Sequence, residues 1–355
     1  MQSSSILPLR MRNQRLRGAR FDTPRDVVHW LGALQAQEFP LAKWSIAQRA
    51  RGATLAAIDQ ALADGVIVRT HVLRPTWHFA LGEDIRWILK ATAPRVNALN
   101  AHYERKFALD AKVLTKASGI IANALEGDRH LTRPELAAAL QRAGIRAHGT
   151  RLAYVVMRAE LDAIVCSGTR RGKQHTYALL DERVPHAKTL DRDAAIAELA
   201  TRYFTSRGPA TLKDFLRWSS LTVKEGREGL AAARALESDV LDGRTYWFGA
   251  GAARPGRSAQ PTADLVQCYD EIIMSYTDSR DDSFRVGQGP FYHAVLMDGR
   301  LVGHWRPVAK GKNVRIDMAL RRTLGRSETA ALDRAIDAYG RFLGVRLTIA
   351  LRRRK

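Results

Sequence analysis

The sequence predicts an α+β fold that is mainly helical, and two observations along the chain support this fold class. Two or three predicted helices followed by a short pair of strands occur three times between residues 6 and 248. From residue 291 onward most predicted elements are strands, with one helix over 327–342. The 355 residues are enough for two or three domains, and a 46% hydrophobic fraction can bury a large core.

The first copy spans residues 1–82. Asp22-Thr23-Pro24 predicts a helix start, because threonine can cap the helix and proline suits its first turn. We expect this helix to close at the two glutamines of Leu34–Pro40, because Pro40 disfavours helix at the preceding residue. A second helix is predicted over residues 54–65, and strands over 66–68 and 76–79 complete the copy.

The second copy spans residues 83–190, and the third spans 191–250. In the second, Leu131–Leu136 predicts a capped helix start, with threonine before an early proline and a glutamate close behind. In the third, Asp242-Gly243 predicts the turn of a hairpin. Residues 249–261 are predicted to be a linker or loop, and residues 251–355 a small β-rich C-terminal domain.

Helices followed by a hairpin are typical of winged helix-turn-helix units, in which one helix enters a groove and the hairpin touches the backbone of DNA. The sequence therefore predicts three such units in tandem, followed by the C-terminal domain, with a basic channel for DNA. A second interpretation stays open, in which at least one copy only packs against the others.

The charge of the chain also favours nucleic acid as the partner. The formal net charge is +21, with a pI of about 10.6, and the positive residues recur along the chain rather than in one tail. A protein of the membrane surface would more often gather them on one amphipathic helix, and no apolar stretch of about 18 residues predicts a span. A merely basic surface remains an alternative.

The cysteine pattern predicts a cytoplasmic protein with reduced thiols. Cys166 and Cys268 are far apart and form neither a metal-ligand pattern nor a disulfide scaffold, so we interpret both as small buried hydrophobes. The chain has no glycine-rich nucleotide loop, zinc pattern or clear Schiff-base lysine. We therefore expect no cofactor and no metal, and we expect a monomer associated with the nucleoid through DNA.

Gln35-Ala36-Gln37-Glu38 is the unusual segment of the chain. By spacing alone, two glutamines two apart are more simply interpreted as solvent-exposed polar residues. Together with Arg69-Thr70-His71-Val72-Leu73-Arg74-Pro75-Thr76-Trp77-His78 and with Tyr269-Asp270-Glu271 followed by Tyr276, however, the segment resembles the AlkZ/YcaQ family of winged-helix DNA glycosylases. The resemblance spans nearly the whole chain, and the Gln-x-Gln pattern is similar to the AlkZ-like branch. One departure is Phe39, which stands between Glu38 and Pro40.

The resemblance implies a monofunctional glycosylase that excises alkylated bases from double-stranded DNA and unhooks interstrand crosslinks, with Gln35 and Gln37 as catalytic residues. Glutamine cannot act as a general base, but an N7-alkylated purine is already cationic and leaves without protonation. Amide oxygens need only position water and stabilise a positively charged sugar. A transcription regulator without catalysis, and a protein that binds damaged DNA without cutting it, are the alternatives.

Other positions predict contacts to DNA. The hairpin tip of the second copy carries Arg170, Arg171 and Lys173, and the first wing carries Arg74 and His71. A further basic set lies near a hairpin of the end domain: Arg306, Lys310 and Lys312. His71 and His78 can instead be packing histidines, Trp77 is expected in the core, and Glu38 is either a surface carboxylate or a source of negative potential. Asp270 and Glu271 are expected to orient arginines.

Overall fold

The computed structural model describes residues 3–251, 260–277, 293–310 and 313–353. Its fold is α+β and mainly helical, as the sequence predicts. The chain forms two compact units, each assembled from separate stretches. Unit 1 contains Met1–Ile58, Thr201–Arg217 and Arg234–Lys355, and unit 2 contains Asp59–Ala200 and Trp218–Ala233. The division into four consecutive ranges and the identity of the winged-helix units stay predictions.

The N-terminal stretch is largely helical. In chain order its helices and strand are α1 (Ile6–Asn13), α2 (Pro24–Leu31), β1 (Ala33–Gln35), α3 (Phe39–Ala47) and α4 (Leu55–Ala63). The predicted cap of α2 is confirmed, because the Thr23 hydroxyl accepts from the Asp26 N–H at 3.1 Å and Pro24 is in the first turn. The sequence interpretation did not include α1 and α3 as separate helices.

The next stretch, all within unit 2, alternates hairpins and helices. Its elements are β2 (Ile67–His71), β3 (Trp77–Leu81), α5 (Ile85–Lys106), α6 (Ala111–Leu125), β4 (Leu131–Thr132), α7 (Arg133–Arg142), α8 (Gly149–Leu161), β5 (Val165–Ser167), β6 (Thr176–Leu179) and α9 (Leu180–Arg183). The predicted start of α7 is confirmed, because Thr132 and Glu135 form a capping box there. From α6 to β6 the order is helix, strand, two helices and hairpin, and the three strands form one sheet in the order β4-β6-β5.

The third stretch has the predicted order of helices and then a hairpin. It contains α10 (Arg192–Arg207), α11 (Leu212–Ser219), α12 (Val223–Ala232), β7 (Leu236–Leu241) and β8 (Arg244–Gly249). Asp242 and Gly243 make the turn between the strands with φ values of +49° and +71°. Positive φ at both central residues is what a tight hairpin turn of this type requires, so the predicted hairpin is confirmed.

The C-terminal stretch forms a five-stranded sheet in unit 1. Its elements are β9 (Ala263–Val266), α13 (Glu271–Met274), β10 (His293–Met297), β11 (Arg300–Lys310), β12 (Asn313–Leu320), α14 (Arg326–Leu343) and β13 (Leu347–Arg353). The strand order is β13-β12-β11-β10-β9, and β12–β13 is the parallel pair. Trp305 is fully buried on β11 and meets Tyr339 of α14 edge to face at 5.2 Å, so the helix covers one face of the sheet.

Unit 2 has its own apolar core between α6, α7, α8 and the sheet, which includes Ile121, Leu136, Val155 and Val165. Such a core is what an independently packed unit requires. In the part of the chain that the structure describes, none of the helices combines the length and apolarity that a membrane crossing needs.

Candidate functional site

The glutamine segment, residues 33–38, does not close a helix as the sequence interpretation expected. Helix α2 ends earlier, at Leu31, because Gly32 takes a left-handed φ of +70° that favours glycine. Residues 33–35 then form β1, and Pro40 lies in the first turn of α3 instead of terminating a helix before it. The proline signal was therefore assigned to the wrong helix end.

This correction changes the geometric relation between the two glutamines. On a helix residues two apart diverge, whereas here the strand ends at Gln35 and the chain bends at Gln37. Gln35 is the last residue of β1 and is only 3% exposed, while Gln37 follows in a bend and is exposed. The side chain of Gln35 is thus buried in the protein, and the side chain of Gln37 lies at the surface.

Two buried ion pairs lie in unit 1 close to this segment in the fold. Arg49 binds Asp270 through two hydrogen bonds of 2.7 and 3.0 Å, and Arg207 donates to Glu271 Oε2 at 2.8 Å. All four side chains are at most 1% exposed. The expectation that the two acidic residues orient arginines is confirmed. A buried carboxylate needs such a partner, because an unpaired charge in this environment is very costly.

Tyr276 joins the same buried network. Its hydroxyl donates to the Arg207 carbonyl at 2.8 Å and accepts from Gln14 Nε2 at 2.9 Å. The Arg10 guanidinium lies over its ring at 3.8 Å from the centroid. Burial raises the pKa of this phenol well above its usual value, so Tyr276 stays protonated and serves as a fixed hydrogen-bond bridge.

Glu38 lies near one of the two cysteines, Cys268, and burial governs the protonation of both thiols. Glu38 is exposed, and its charge adds to the burial that raises the pKa of the Cys268 thiol to about 12. Burial also raises the pKa of Cys166 to about 12. Neither thiol carries charge at neutral pH. Cys166 is buried, as the sequence interpretation expected, whereas Cys268 is only half-buried. Glu38 is thus a surface carboxylate whose negative potential reaches residues beside the glutamine segment.

The β2–β3 hairpin of unit 2, predicted to be the first wing, buries both of its histidines. His71 is 4% exposed, pairs through Nδ1 with the buried carboxylate of Glu160, and packs on the ring of Trp77. His78 is fully buried, and its Nδ1 donates to the Thr76 carbonyl at 2.8 Å. The structure therefore favours the packing alternative for both histidines.

Two arginines of this hairpin are also engaged within unit 2. Arg74 donates to the carbonyl of Trp218 at 3.0 Å and approaches His78 Nε2 at 3.3 Å, so at least part of its guanidinium is used internally. The Arg69 guanidinium lies 4.2 Å from the centre of the Trp77 ring, and burial lowers its pKa to about 10. Trp77 is half-buried rather than enclosed in the core.

The basic tip between β5 and β6 stays at the surface. Lys173 and Arg171 are exposed, and Arg170 is half-buried with its Nη2 donating to the Lys173 carbonyl at 3.2 Å. Arg171 is paired with Glu135, the capping residue of α7. The structure thus keeps positive groups on this turn, as a wing that contacts phosphates would need, although Arg171 already has an acidic partner.

Of the three basic residues predicted in the end domain, the structure describes the side chain of Arg306 only. Arg306 lies on β11 and donates to Asp317 at 3.2 Å, while Arg315 binds the same carboxylate at 2.7 Å. The two arginines hold the pKa of Asp317 below its ordinary value. The side chain of Lys310 and the whole of Lys312 lie outside the described residues. Contacts of these three residues with DNA stay predictions.

The sequence interpretation missed the link between the glutamine segment and the acidic pair. The backbone N–H of Gln35 donates to Glu271 Oε1 at 3.0 Å, across 236 positions of sequence. It also missed Arg207, which had no pattern to distinguish it from the other arginines. An acidic dipeptide in a strongly basic chain was the available signal, and it indicated a buried arginine partner but not which one.

Comparisons with known proteins identify the family of the chain. The family model described as DNA glycosylase AlkZ-like matches residues 28–342. The chain is similar to an interstrand DNA cross-link repair glycosylase of Streptomyces sahachiroi, with 25% identity over 325 residues, which cover 85% of this chain and 87% of the relative. The fold of this chain is similar to the solved structure of Streptomyces sahachiroi DNA glycosylase AlkZ, with a TM-score of 0.80 and 20% identity. The match covers 99% of this chain and 100% of the solved chain. The chain therefore belongs to the AlkZ-like family of DNA glycosylases.

Proposed function

We propose that this protein is a monofunctional DNA glycosylase that hydrolyses the N-glycosidic bond of N7-alkylated purines, unhooks interstrand crosslinks, and leaves an abasic site. The observation that carries the proposal is the glutamine segment, in which a buried Gln35 at the end of β1 is followed two residues later by an exposed Gln37 in a bend. The relative named for interstrand DNA cross-link repair supports crosslinked DNA as a substrate.

Two neutral amides are sufficient for this chemistry. An N7-alkylated guanine carries a positive charge, so the electron pair of the breaking bond to C1′ neutralises the departing base without a proton donor. Water adds to C1′, and its proton passes to the solvent. In this proposal the amide oxygens of Gln35 and Gln37 hold the water and face the positive charge that develops on the sugar, which preorganised dipoles stabilise well.

The remaining architecture is proposed with this function. Tandem winged-helix units and the C-terminal domain would form the basic channel, and the net charge of +21 supports strong, salt-dependent binding of the duplex. Arg74, Arg170, Arg171, Lys173, Arg306, Lys310 and Lys312 are its proposed phosphate contacts. An open cleft suits a crosslinked base, which cannot be fully extruded into a closed pocket. We propose that the enzyme acts as a monomer, which light scattering in solution tests.

The experiment is base release under single-turnover conditions from three duplexes, which carry N7-methylguanine, an N7-linked interstrand crosslink, or no lesion. We expect release of free base from the first, separation of the strands in the second, and no reaction with the third. The matched control is the double variant Gln35→Ala, Gln37→Ala, prepared in parallel to exclude a contaminating glycosylase. Absence of release from both lesions would refute the proposal, and cleavage of the abasic strand would refute a monofunctional mechanism.

The alternative of a regulator without catalysis is not favoured, because the family consists of enzymes. A regulator would bind one operator sequence far more tightly than other duplexes, by at least about 10³-fold. Equal affinity for unrelated undamaged sequences, measured in the same salt, separates the two functions.

A further inference from the structure

The backbone of the glutamine segment is held by one buried ion pair. Glu271 uses its two oxygens for different tasks: Oε1 accepts from the Gln35 N–H at 3.0 Å, and Oε2 accepts from Arg207 Nη2 at 2.8 Å and Nε at 3.1 Å. Glu271 lies in the short helix α13, far from Gln35 in sequence. The position of Gln35 therefore depends on a carboxylate contributed from the C-terminal stretch.

Arg207 also holds the backbone ahead of Gln35, through Nη1 and through the same Nη2 that binds Glu271. Its Nη1 donates to the Leu31 carbonyl at 2.8 Å, and its Nη2 donates to the Ala33 carbonyl at 2.8 Å. These carbonyls lie at the end of α2 and the start of β1. The planar guanidinium thus fixes the backbone on the N-terminal side of Gln35 while it neutralises the carboxylate that receives the Gln35 N–H.

Burial makes this arrangement stiff. Arg207 is fully buried, and Glu271 and Gln35 are 1% and 3% exposed. Hydrogen bonds to charged groups in such surroundings are stronger than exposed ones, and moving either partner would leave a buried charge unpaired. Small displacements of a reacting group are costly for catalysis, on the order of 100-fold for about 1 Å.

The neighbouring pair serves as an internal comparison. Arg49 and Asp270 are equally buried, and Asp270 is adjacent to Glu271 in sequence. The further contacts of Arg49, however, go to the carbonyls of Gln14 and Ser45. This pair ties α1 and α3 to the C-terminal stretch. The Arg207–Glu271 pair differs because, besides hydrogen bonds with the hydroxyls of Ser206 and Ser275, it binds the backbone of residues 31, 33 and 35.

We infer that Glu271 and Arg207 are positioning residues for excision: they act through the backbone of residues 31–35 and place the amide of Gln35 for the reaction. Neither residue needs to touch the DNA. This inference rests on the proposed function, because it takes Gln35 as a catalytic residue.

The test uses two conservative variants. Glu271→Gln keeps an oxygen that can accept from Gln35 but loses the charge that holds Arg207, and Arg207→Lys keeps the charge but loses the fork that reaches both carbonyls. For each variant we expect a single-turnover rate constant lower by about 10–100-fold at unchanged reaction amplitude, with DNA affinity within about twofold of the wild type. A merely destabilised enzyme would lose amplitude and keep its rate constant.

The matched control is Asp264→Asn, which breaks the ion pair of buried Asp264 with half-buried Arg17 in the same unit, away from residues 31–35. Its rate constant should equal that of the wild type. Wild-type rate constants in both conservative variants would overturn the inference. An equal fall of the rate constant in the control, or a loss of affinity in proportion to rate, would overturn it as well.

Hydrogen exchange separates this inference from the proposed function. The amide of Gln35 should exchange at least about tenfold faster in Glu271→Gln than in the wild type, without a change in the amides of β12. Unchanged exchange at Gln35 would overturn the inference, whether or not the wild type releases base. A wild type without activity would refute the proposed function alone.

Discussion

The glutamine segment of unit 1 and the β2–β3 hairpin of unit 2 both carry motifs of the family, but they use their polar residues differently. In the glutamine segment, internal hydrogen bonds hold the backbone and Gln37 is exposed. In the hairpin, His71 and His78 are buried and satisfied by groups of their own unit. The motif of the glutamine segment therefore presents an exposed side chain, Gln37, next to a hydrogen-bonded backbone. The motif of the hairpin instead contributes to the packing of its own unit.

The largest expected effect is on the rate constant of excision, when the glutamine segment is changed. Gln35→Ala and Gln37→Ala should each lower the single-turnover rate constant by about 10²–10³-fold, because in the proposed mechanism each removes an amide that faces the developing charge. Affinity for the duplex should change by less than about twofold, because neither residue carries charge. Rate constants come from base release, and affinities from fluorescence anisotropy in the same salt.

Gln60→Ala is a matched control for those variants. Gln60 is exposed on α4 and donates to Asp64 at 2.7 Å, so its loss should leave both rate and affinity unchanged. If Gln35→Ala and Gln37→Ala lost affinity in proportion to rate, these glutamines would be binding residues and the proposed mechanism would fail.

In the hairpin the large effect should appear in stability. Glu160→Gln removes the charge that faces His71 at a fully buried position, and the free energy of unfolding should fall by about 3 kcal/mol. The excision rate constant of the folded variant should stay that of the wild type. Urea unfolding and single-turnover assays at the same temperature measure the two quantities.

A second variant shows whether the pairing itself matters. Replacing both partners with apolar residues, His71→Phe with Glu160→Leu, should recover part of the lost stability, because the imidazole is removed together with its carboxylate. The recovery should be incomplete, because Glu160 also compensates the charge of buried Arg69. If either variant had a lower rate constant at full reaction amplitude, the hairpin would contribute to excision. The proposed difference between the hairpin and the glutamine segment would then be wrong.

The order of elements was predictable because local chemistry fixes it. Thr132 with Glu135 specified the start of α7, and Asp242-Gly243 specified a hairpin turn. Apolar spacing did the same for long helices such as α5 and α14. The membership of the AlkZ-like family and the glycosylase class were also predicted from motifs and confirmed by the comparisons.

The error at the glutamine segment has a local cause. Pro40 favours the first turn of a helix as much as it ends a preceding one, and Gly32 offered the earlier stop that the interpretation overlooked. The bond from Gln35 to Glu271 was beyond prediction for another reason. It joins residues 236 positions apart, and one sequence contains no information on which of its many arginines and carboxylates meet.

The basic turn between β5 and β6 can sharpen the comparison, because it is an exposed part of unit 2. Lys173→Ala should weaken binding of all duplexes alike and reduce the slope of log K against log salt by about one unit, if Lys173 contacts a phosphate. Excision at saturating enzyme should be unchanged. An unaltered salt slope would remove this residue from the DNA interface.

The smallest effect is expected at Arg171, which already pairs with Glu135. Hydrogen bonds from Arg171 and then from Thr132 hold the pKa of Glu135 down at about 2, below its ordinary value of 4.5. Because the folded pKa is the lower one, this stabilisation is present above pH 4.5 and is lost as the pH falls toward 2. Arg171→Ala should therefore make the free energy of unfolding fall less steeply between pH 5 and pH 3.

Urea unfolding at several pH values measures this change, and Arg170→Ala is the matched control. Arg170 precedes Arg171 on the same turn and carries the same charge, but its guanidinium donates to the Lys173 carbonyl. A pH dependence that is altered equally in both variants would indicate a general effect of charge. A change confined to Arg171→Ala would show that Arg171 is engaged by Glu135. Lys173 would then be the more available cation of this turn for a phosphate of DNA.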